Sequence, residues 1–118
     1  VYVCPIRHGG GTKLKILDAL AMEKAVVAHP VACEGIDVTN DKNILLAESS
    51  DEFVGKIVRL LNDADLRVQL GKNGRRLVKE KYAYNFIGKR LNDLYHQVVT
   101  EFEQVVSRAA EEYPITYR

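Results

Sequence analysis

Apolar positions in this chain follow two rhythms, short unbroken runs in the first third and three- and four-residue spacings after it. Val1 to Ile6 is rich in β-branched and aromatic residues and exits at Pro5, which predicts a buried strand. Gly9-Gly10-Gly11 then supplies a backbone free to take positive φ. From Thr12 to about Lys24 the residues Leu14, Leu17, Leu20 and Ala21 recur at helical spacing, so a helix opens directly out of the glycine loop. Ala25 to His29, ended by Pro30, reads as a second buried strand of the kind found in parallel sheets covered on both faces. Val31 to Lys42 holds Gly35, Asp37, Asn40 and Asp41 without a helical period and predicts a loop over the sheet. Asn43 to Ala47 is a third candidate strand.

Helical patterns fill the remainder. Ser49 followed by Glu52 fits a capping box, predicting a helix from about Ser50 to Asn62 with Phe53, Val54, Ile57, Val58 and Leu61 on its buried side. Asp63 or Asp65 can cap a second helix, Ala64 to Lys81, that buries Leu66, Leu70, Leu77 and Val78. Gly71 and Gly74 weaken this helix unless they permit close packing, and the basic run Gly71 to Arg76 reads as a solvated face. Tyr84 to about Glu112 is the longest signal, with Ile87, Leu91, Leu94, Val98, Phe102 and Val105 as an apolar stripe that three strands cannot cover. Either it lies across a neighbouring domain or it pairs with a second copy of itself. Tyr113-Pro114 ends it and leaves a short tail at 113–118.

Composition narrows the partners. The 118 residues are 47% apolar and 28% charged, and a formal charge of +1 lacks the basic excess of a nucleic-acid or anionic-membrane surface. No apolar run approaches the roughly 20 residues of a transmembrane helix. Cys4 and Cys33 fit no C-x-x-C pattern and the three histidines no metal-ligand spacing, which predicts no metal and no other cofactor. Both cysteines read as small inert hydrophobes of a reduced, cytoplasmic chain. The opening Val1-Tyr2-Val3-Cys4-Pro5, without methionine or leader, reads as a piece of something longer.

A glycine turn between a strand's end and a helix's start is a ready anion site, where backbone N–H groups converge and the helix dipole adds about half a positive charge. Gly9, Gly10, Gly11 and Thr12 hold that place, although three glycines also make an ordinary tight turn. Lys15 and Asp18 stand three residues apart on one helical face, with Leu14, Leu17 and Ala21 expected to turn inward. An ammonium near phosphates and a carboxylate one turn deeper suit a diphosphate and the two hydroxyls of a ribose. The competing reading is an exposed ion pair, in the order less favourable for the helix dipole. His8 could reach a phosphate or cap the turn with its ring, and Arg7 is a comparable phosphate candidate. Glu34 is a candidate too, or a solvated loop carboxylate.

The run Val3 to Ala21, containing Pro5, the Gly9 to Gly11 turn and Lys15-x-x-Asp18-Ala19-x-Ala21, followed by Lys24-Ala25-Val26-Val27-Ala28, resembles the donor-binding half of GT-B glycosyltransferases. It is most similar to the large retaining family 4, often called glycosyl transferases group 1. Glu34-Gly35-Ile36, the Asn43 to Leu46 strand, Leu60 to Asp63 and Leu70 to Arg75 extend the match to roughly residue 100. The resemblance implies an α/β fold, a partial Rossmann-like parallel sheet of about three strands flanked by helices, with a long C-terminal helix. Residues 1–83 would be the second half of a nucleotide-sugar-binding domain and 84–112 a closing helix. It also implies a hexosyltransferase whose Gly9 to Thr12 backbone faces the donor diphosphate and whose Asp18 holds the ribose, one methylene shorter than the family's usual glutamate. Lys15 matches the lysine of the glycine-rich variant of this turn. The family's E-x7-E pair is incomplete, because Gly10 stands eight residues before Asp18. No certain catalytic residue lies in this stretch, no metal is needed, and an acceptor-binding amino-terminal domain is missing. Such a piece would be inactive alone, its whole enzyme cytoplasmic or peripheral at a membrane, and the isolated piece a candidate homodimer.

Overall fold

The computed structural model describes residues 1–9 and 13–113. Three short strands, β1 (Tyr2–Cys4), β2 (Val26–Ala28) and β3 (Leu45–Leu46), form a parallel sheet in the order β1-β2-β3. Helices α1 (Leu14–Ala21), α2 (Ser50–Asn62), α3 (Ala64–Lys81) and α4 (Tyr84–Glu112) complete the chain. Parallel pairing needs crossovers, and α1 supplies the one between β1 and β2. The chain divides into two units, Val1–Ala83 with all three strands and Tyr84–Arg118 with α4. The α/β class, three parallel strands with flanking helices and the long last helix agree with the sequence reading.

The central strand organises two cores. Val26 and Ala28 point into a cluster with Ile16, Ala19 and Leu20 of α1, while Ala25 and Val27 point into one with Phe53 and Leu60 of α2 and Leu70 of α3. This is the alternation a strand imposes, and burial on both faces explains why the run is apolar throughout. Helix α3 serves both sides, since Leu70 belongs to one cluster and Leu77 to the other.

Several boundaries and faces differ from expectation. The first strand is shorter than Val1 to Ile6 and is not buried throughout, because β1 is an edge strand that leaves Val1, Val3 and Ile6 exposed. Helix α1 ends at Ala21 rather than Lys24. Glu23 takes φ +58, Lys24 N–H bonds the Ala19 carbonyl and Glu23 N–H bonds the Leu20 carbonyl, the reciprocal pattern of a Schellman stop. Its buried residues are Ile16, Ala19 and Leu20, whereas Leu14 is exposed and Leu17 and Ala21 are half-buried. The Val31 to Lys42 loop begins as a 3-10 turn, Pro30–Cys33, capped by His29 Nδ1 accepting the Val31 N–H at 3.1 Å. Ala32 and Cys33 of that turn enter the core.

Helix α2 has the expected bounds. Ser49 Oγ accepts the Glu52 N–H at 3.2 Å, and the Glu52 carboxylate reaches back to the Glu48 N–H at 2.9 Å. Its inner face is Phe53, Ile57 and Leu60, so Val54, Val58 and Leu61 face outward, contrary to the predicted stripe. Asp63 is the cap of α3, accepting the Leu66 N–H at 2.9 Å. In the Gly71 to Arg76 run Lys72, Arg75 and Arg76 are exposed, as the solvated-face reading expects, while Gly71 and Gly74 are buried where α3 meets α1. A Cβ at Gly71 would lie 2.3 Å from the Glu23 carbonyl oxygen and one at Gly74 2.7 Å from Leu20 Cδ2, so only glycine lets α3 approach the end of α1 this closely. Arg75 donates to the Ala21 carbonyl at 3.2 Å, fastening the same contact, and Asn73 donates to the Lys42 carbonyl at 2.8 Å, tying α3 to the loop before β3. Cys4 and Cys33 are both buried and free.

Candidate functional site: a basic cleft at the end of the first strand

Because the strands are parallel, Cys4, Ala28 and Leu46 end on one edge of the sheet, the edge where open α/β sheets bind ligands. Beyond Cys4 the chain runs out through Pro5 to Gly9, and Lys13 brings it to the start of α1. The Cys4 carbonyl accepts the His29 N–H at 3.1 Å, which draws the segment after β2 beside the end of β1. A cleft of about 420 Å³ lies here. Cys4, Ile6, Leu14, Ile16 and Ala32 form its apolar wall, and His8, Gly9, Lys13 and Lys15 its polar one.

The helix start facing this edge is receptive to an anion. Lys13 is the capping residue of α1, its side chain makes no cap hydrogen bond, and the first turn has no acidic residue. Orphan backbone N–H groups at such an end attract negative charge. Gly9 takes φ +133, a left-handed conformation that disfavours a side chain, and its carbonyl accepts from Lys13 Nζ at 3.4 Å. Lys13, Lys15 and His8 thus line one small cleft together with an apolar wall.

The sequence candidates separate into three sets. Gly9, His8 and Lys15 line the cleft. Asp18 is exposed one turn further along α1, outside the cleft's lining, and it forms no ion pair with Lys15 among the described residues. The exposed-ion-pair reading of that couple therefore lacks its contact. Arg7 and Glu34 are exposed and do not line the cleft, Glu34 instead following the 3-10 turn as its last cap. Gly10, Gly11 and Thr12 lie outside the described residues. Sequence reasoning missed Lys13, whose signal was its place at the first turn after the glycines, and the apolar wall of Ile6, Leu14 and Ala32. Among the described residues no group of three or more His, Cys, Asp or Glu is placed to hold a metal ion, and no helix is long and apolar enough to cross a membrane.

Comparison with known proteins adds an independent line. Residues 1–63 match the family model described as glycosyl transferases group 1. Over 105 residues the chain is 30% identical to the capsular polysaccharide biosynthesis glycosyltransferase CapM of Staphylococcus aureus, covering 87% of this chain and 27% of that protein. It is 28% identical over 103 residues to the uncharacterized glycosyltransferase MJ1069 of Methanocaldococcus jannaschii, covering 84% of this chain and 26% of the relative. The chain thus spans about a quarter of the length of the curated relatives it matches. Among solved structures, the C-terminal domain of the glycosyl transferase group 1 family protein LpcC from Francisella tularensis superposes with a TM-score of 0.62 at 31% identity, covering 70% of this chain and 43% of that one. With more than half of its length matched by the family model, and with the fold of a GT-B C-terminal domain, this chain belongs to the glycosyl transferases group 1 family.

Proposed function

We propose that this chain is the donor-binding side of a glycosyltransferase that moves a hexose from a nucleotide-sugar to an acceptor with retention of configuration. The observation that carries this reading is the cleft at the end of β1, which Lys13, Lys15 and His8 line together with an apolar wall beside an uncapped helix start. A diphosphate supplies the multiple negative charge that such amide and ammonium donors satisfy. In this reading the Gly9 to Thr12 backbone holds the diphosphate, Lys15 offsets its charge, and Asp18 at the rim accepts the ribose hydroxyls. Arg7, His8 and Glu34 are further donor contacts to be tested. Helix dipole and ammonium groups together stabilise the leaving diphosphate, so the reaction requires no protein-bound metal. Acceptor binding belongs to an amino-terminal domain, in keeping with the quarter of the relatives' length that the chain spans, and the chain alone is inactive.

One observation favours a second reading, a nucleotide-binding module without chemistry. Gly10 stands where the family's first carboxylate is expected, eight residues before Asp18. Titration of the isotope-labelled chain with UDP and with GDP, following amide signals from Gly9 to Asp18, tests the shared binding step. Shifts concentrated there and lost in Asp18→Ala are expected, and unchanged amides would overturn the donor site. Sugar transfer by the full-length protein, with the product's anomeric configuration read by NMR, separates the enzyme from the module.

A further inference from the structure

The loop that leads into β3 and the second half of α3 enclose a groove of about 210 Å³ that shares no lining residue with the cleft. Asn43 stands before β3, toward the opposite edge of the parallel sheet from the strand ends that frame the cleft. Its side chain is polar, and the residue is only 6% exposed. Oδ1 accepts the Thr39 N–H at 2.8 Å, which fixes the amide in place. Nδ2 meets no acceptor among the described residues, yet no enclosed side-chain nitrogen or oxygen is left unsatisfied among them, so this NH2 opens into the groove. Asn73, in the same lining, donates its own Nδ2 to the Lys42 carbonyl at 2.8 Å and keeps Oδ1 without a donor among the described residues. These bonds and the Lys81–Asp37 pair tie loop to helix, and a Cβ at Gly74 would stand 3.4 Å from the Asn43 carbonyl oxygen, so the walls of the groove are set by close packing.

The free groups select the ligand. Lys81 is paired with Asp37, which leaves Lys42, Arg76 and Glu80 as the charges of the lining without an ion pair among the described residues. A simple anion would meet Glu80, and a simple cation would meet Lys42 and Arg76. The groove instead interleaves donors, from Asn43, Lys42 and Arg76, with acceptors, from Asn73 and Glu80, and the Thr39 hydroxyl serves as either. A sugar hydroxyl donates and accepts at once, so neighbouring hydroxyls of one ring ask for donors and acceptors side by side. Leu77 adds an apolar surface for the C–H face of such a ring. The volume is half the 420 Å³ of the cleft, room for a single ring rather than a nucleotide.

We propose that the groove between the loop before β3 and α3 is a saccharide subsite, in which Asn43, Asn73, Arg76 and Glu80 hold one neutral sugar ring away from the donor cleft. It is independent of the donor reading, and its test involves no nucleotide. The isotope-labelled chain is titrated with the methyl glycosides of glucose, galactose and mannose at tens of millimolar, following the side-chain NH2 signals of Asn43 and Asn73 and the backbone amides of Thr39 and Lys42. At least one glycoside is expected to shift these signals saturably while the amides of Gly9 and Lys15 stay in place. Arg76→Met combined with Glu80→Gln alters two exposed side chains and is expected to weaken binding roughly tenfold, the loss due to two hydrogen bonds. Asn43→Asp, which keeps an oxygen for the Thr39 N–H and removes the NH2, is expected to abolish binding. No saturable shift at Asn43 with any of the three glycosides, shifts confined to Gly9 to Asp18, or a double variant that binds like the native chain would overturn the proposal. An Asn43 shift produced by inorganic phosphate and by none of the glycosides would overturn it as well, by showing an anion site.

Discussion

The phenolic oxygen of Tyr82 accepts the backbone N–H of Asp37 at 2.8 Å, joining the loop after the 3-10 turn to the end of α3 across 45 residues of sequence. Lys81 pairs with the Asp37 carboxylate, so two neighbouring side chains grip one loop residue by its backbone and by its charge. That loop follows the turn whose Ala32 lines the cleft. Tyr82→Phe removes the acceptor while keeping the ring among the residues packed on the core. Because Asp37 N–H is exposed and water can replace the phenol, the loss should fall near the lower end of the about 0.5–1.5 kcal/mol typical of one hydrogen bond. Urea unfolding gives that number, and faster exchange of the Asp37 amide should accompany it. An unchanged exchange rate would mean that the tether does not hold the loop in solution.

The same pair sets a pH signature. The hydrogen bond from Lys81, and secondarily its charge, hold the Asp37 carboxyl below the ordinary aspartate range, and the partner's ammonium is raised in return. A carboxyl depressed by folding contributes stability above its unfolded pKa and loses it as pH falls through the folded value. Both side chains are exposed, so the effect on global stability is small and the site-specific titration is the proper readout. The Asp37 carboxyl carbon should titrate below an unpaired aspartate, and Lys81→Met should move it upward. An Asp37 midpoint indifferent to Lys81→Met would remove the pairing.

Gly71 and Gly55 should respond oppositely to the same substitution. At Gly71 a methyl group would meet the Glu23 carbonyl oxygen at 2.3 Å, and that carbonyl belongs to the turn ending α1. Neither backbone can yield cheaply, so Gly71→Ala should cost about 1–3 kcal/mol, beyond the helix propensity it gains. At Gly55, inside α2, an added Cβ meets nothing within 4 Å. Gly55→Ala should therefore stabilise by about 0.5–1 kcal/mol. Denaturation midpoints of the two variants decide the matter, and a stabilised Gly71→Ala would show that α3 does not seat on α1 as described.

These contrasts show where the sequence was readable. Caps act through one side chain and the next three amides, so Ser49 and Asp63 announced the starts of α2 and α3 without tertiary knowledge. The inward face of α2 was not readable. Phe53, Val54, Ile57, Val58, Leu60 and Leu61 form one broad apolar arc, and contact with the sheet selects Phe53, Ile57 and Leu60 from it. The order strand, glycines, helix located the cleft, because a parallel sheet brings that junction to its ligand-binding edge. Its far wall was not readable, since Ala32 comes from a segment whose composition reads as loop and is placed by contacts distant in sequence, the His29 bond to Cys4 and burial in the core.

Cys33 offers an alkaline test of the core beside the cleft. Burial first, and then the neighbouring Cys4 thiol, push its pKa up to about 11 from an ordinary 9.0, while Lys13 pulls in the opposite direction. A group raised on folding stabilises fully below its unfolded pKa and loses that contribution as pH rises through the folded value. The window is therefore about pH 9 to 11. At 1.36 kcal/mol per unit the full loss is roughly 2–3 kcal/mol. Chemical denaturation across this range should show a steeper decline for the native chain than for Cys33→Ala, since every other titrating group is common to both. Lys13→Met should push the thiol higher still and delay the onset of its native-state reaction with a disulfide reagent. Parallel pH profiles for the native chain and Cys33→Ala would mean that water reaches this thiol, and that the core against which the cleft is built is open at its base.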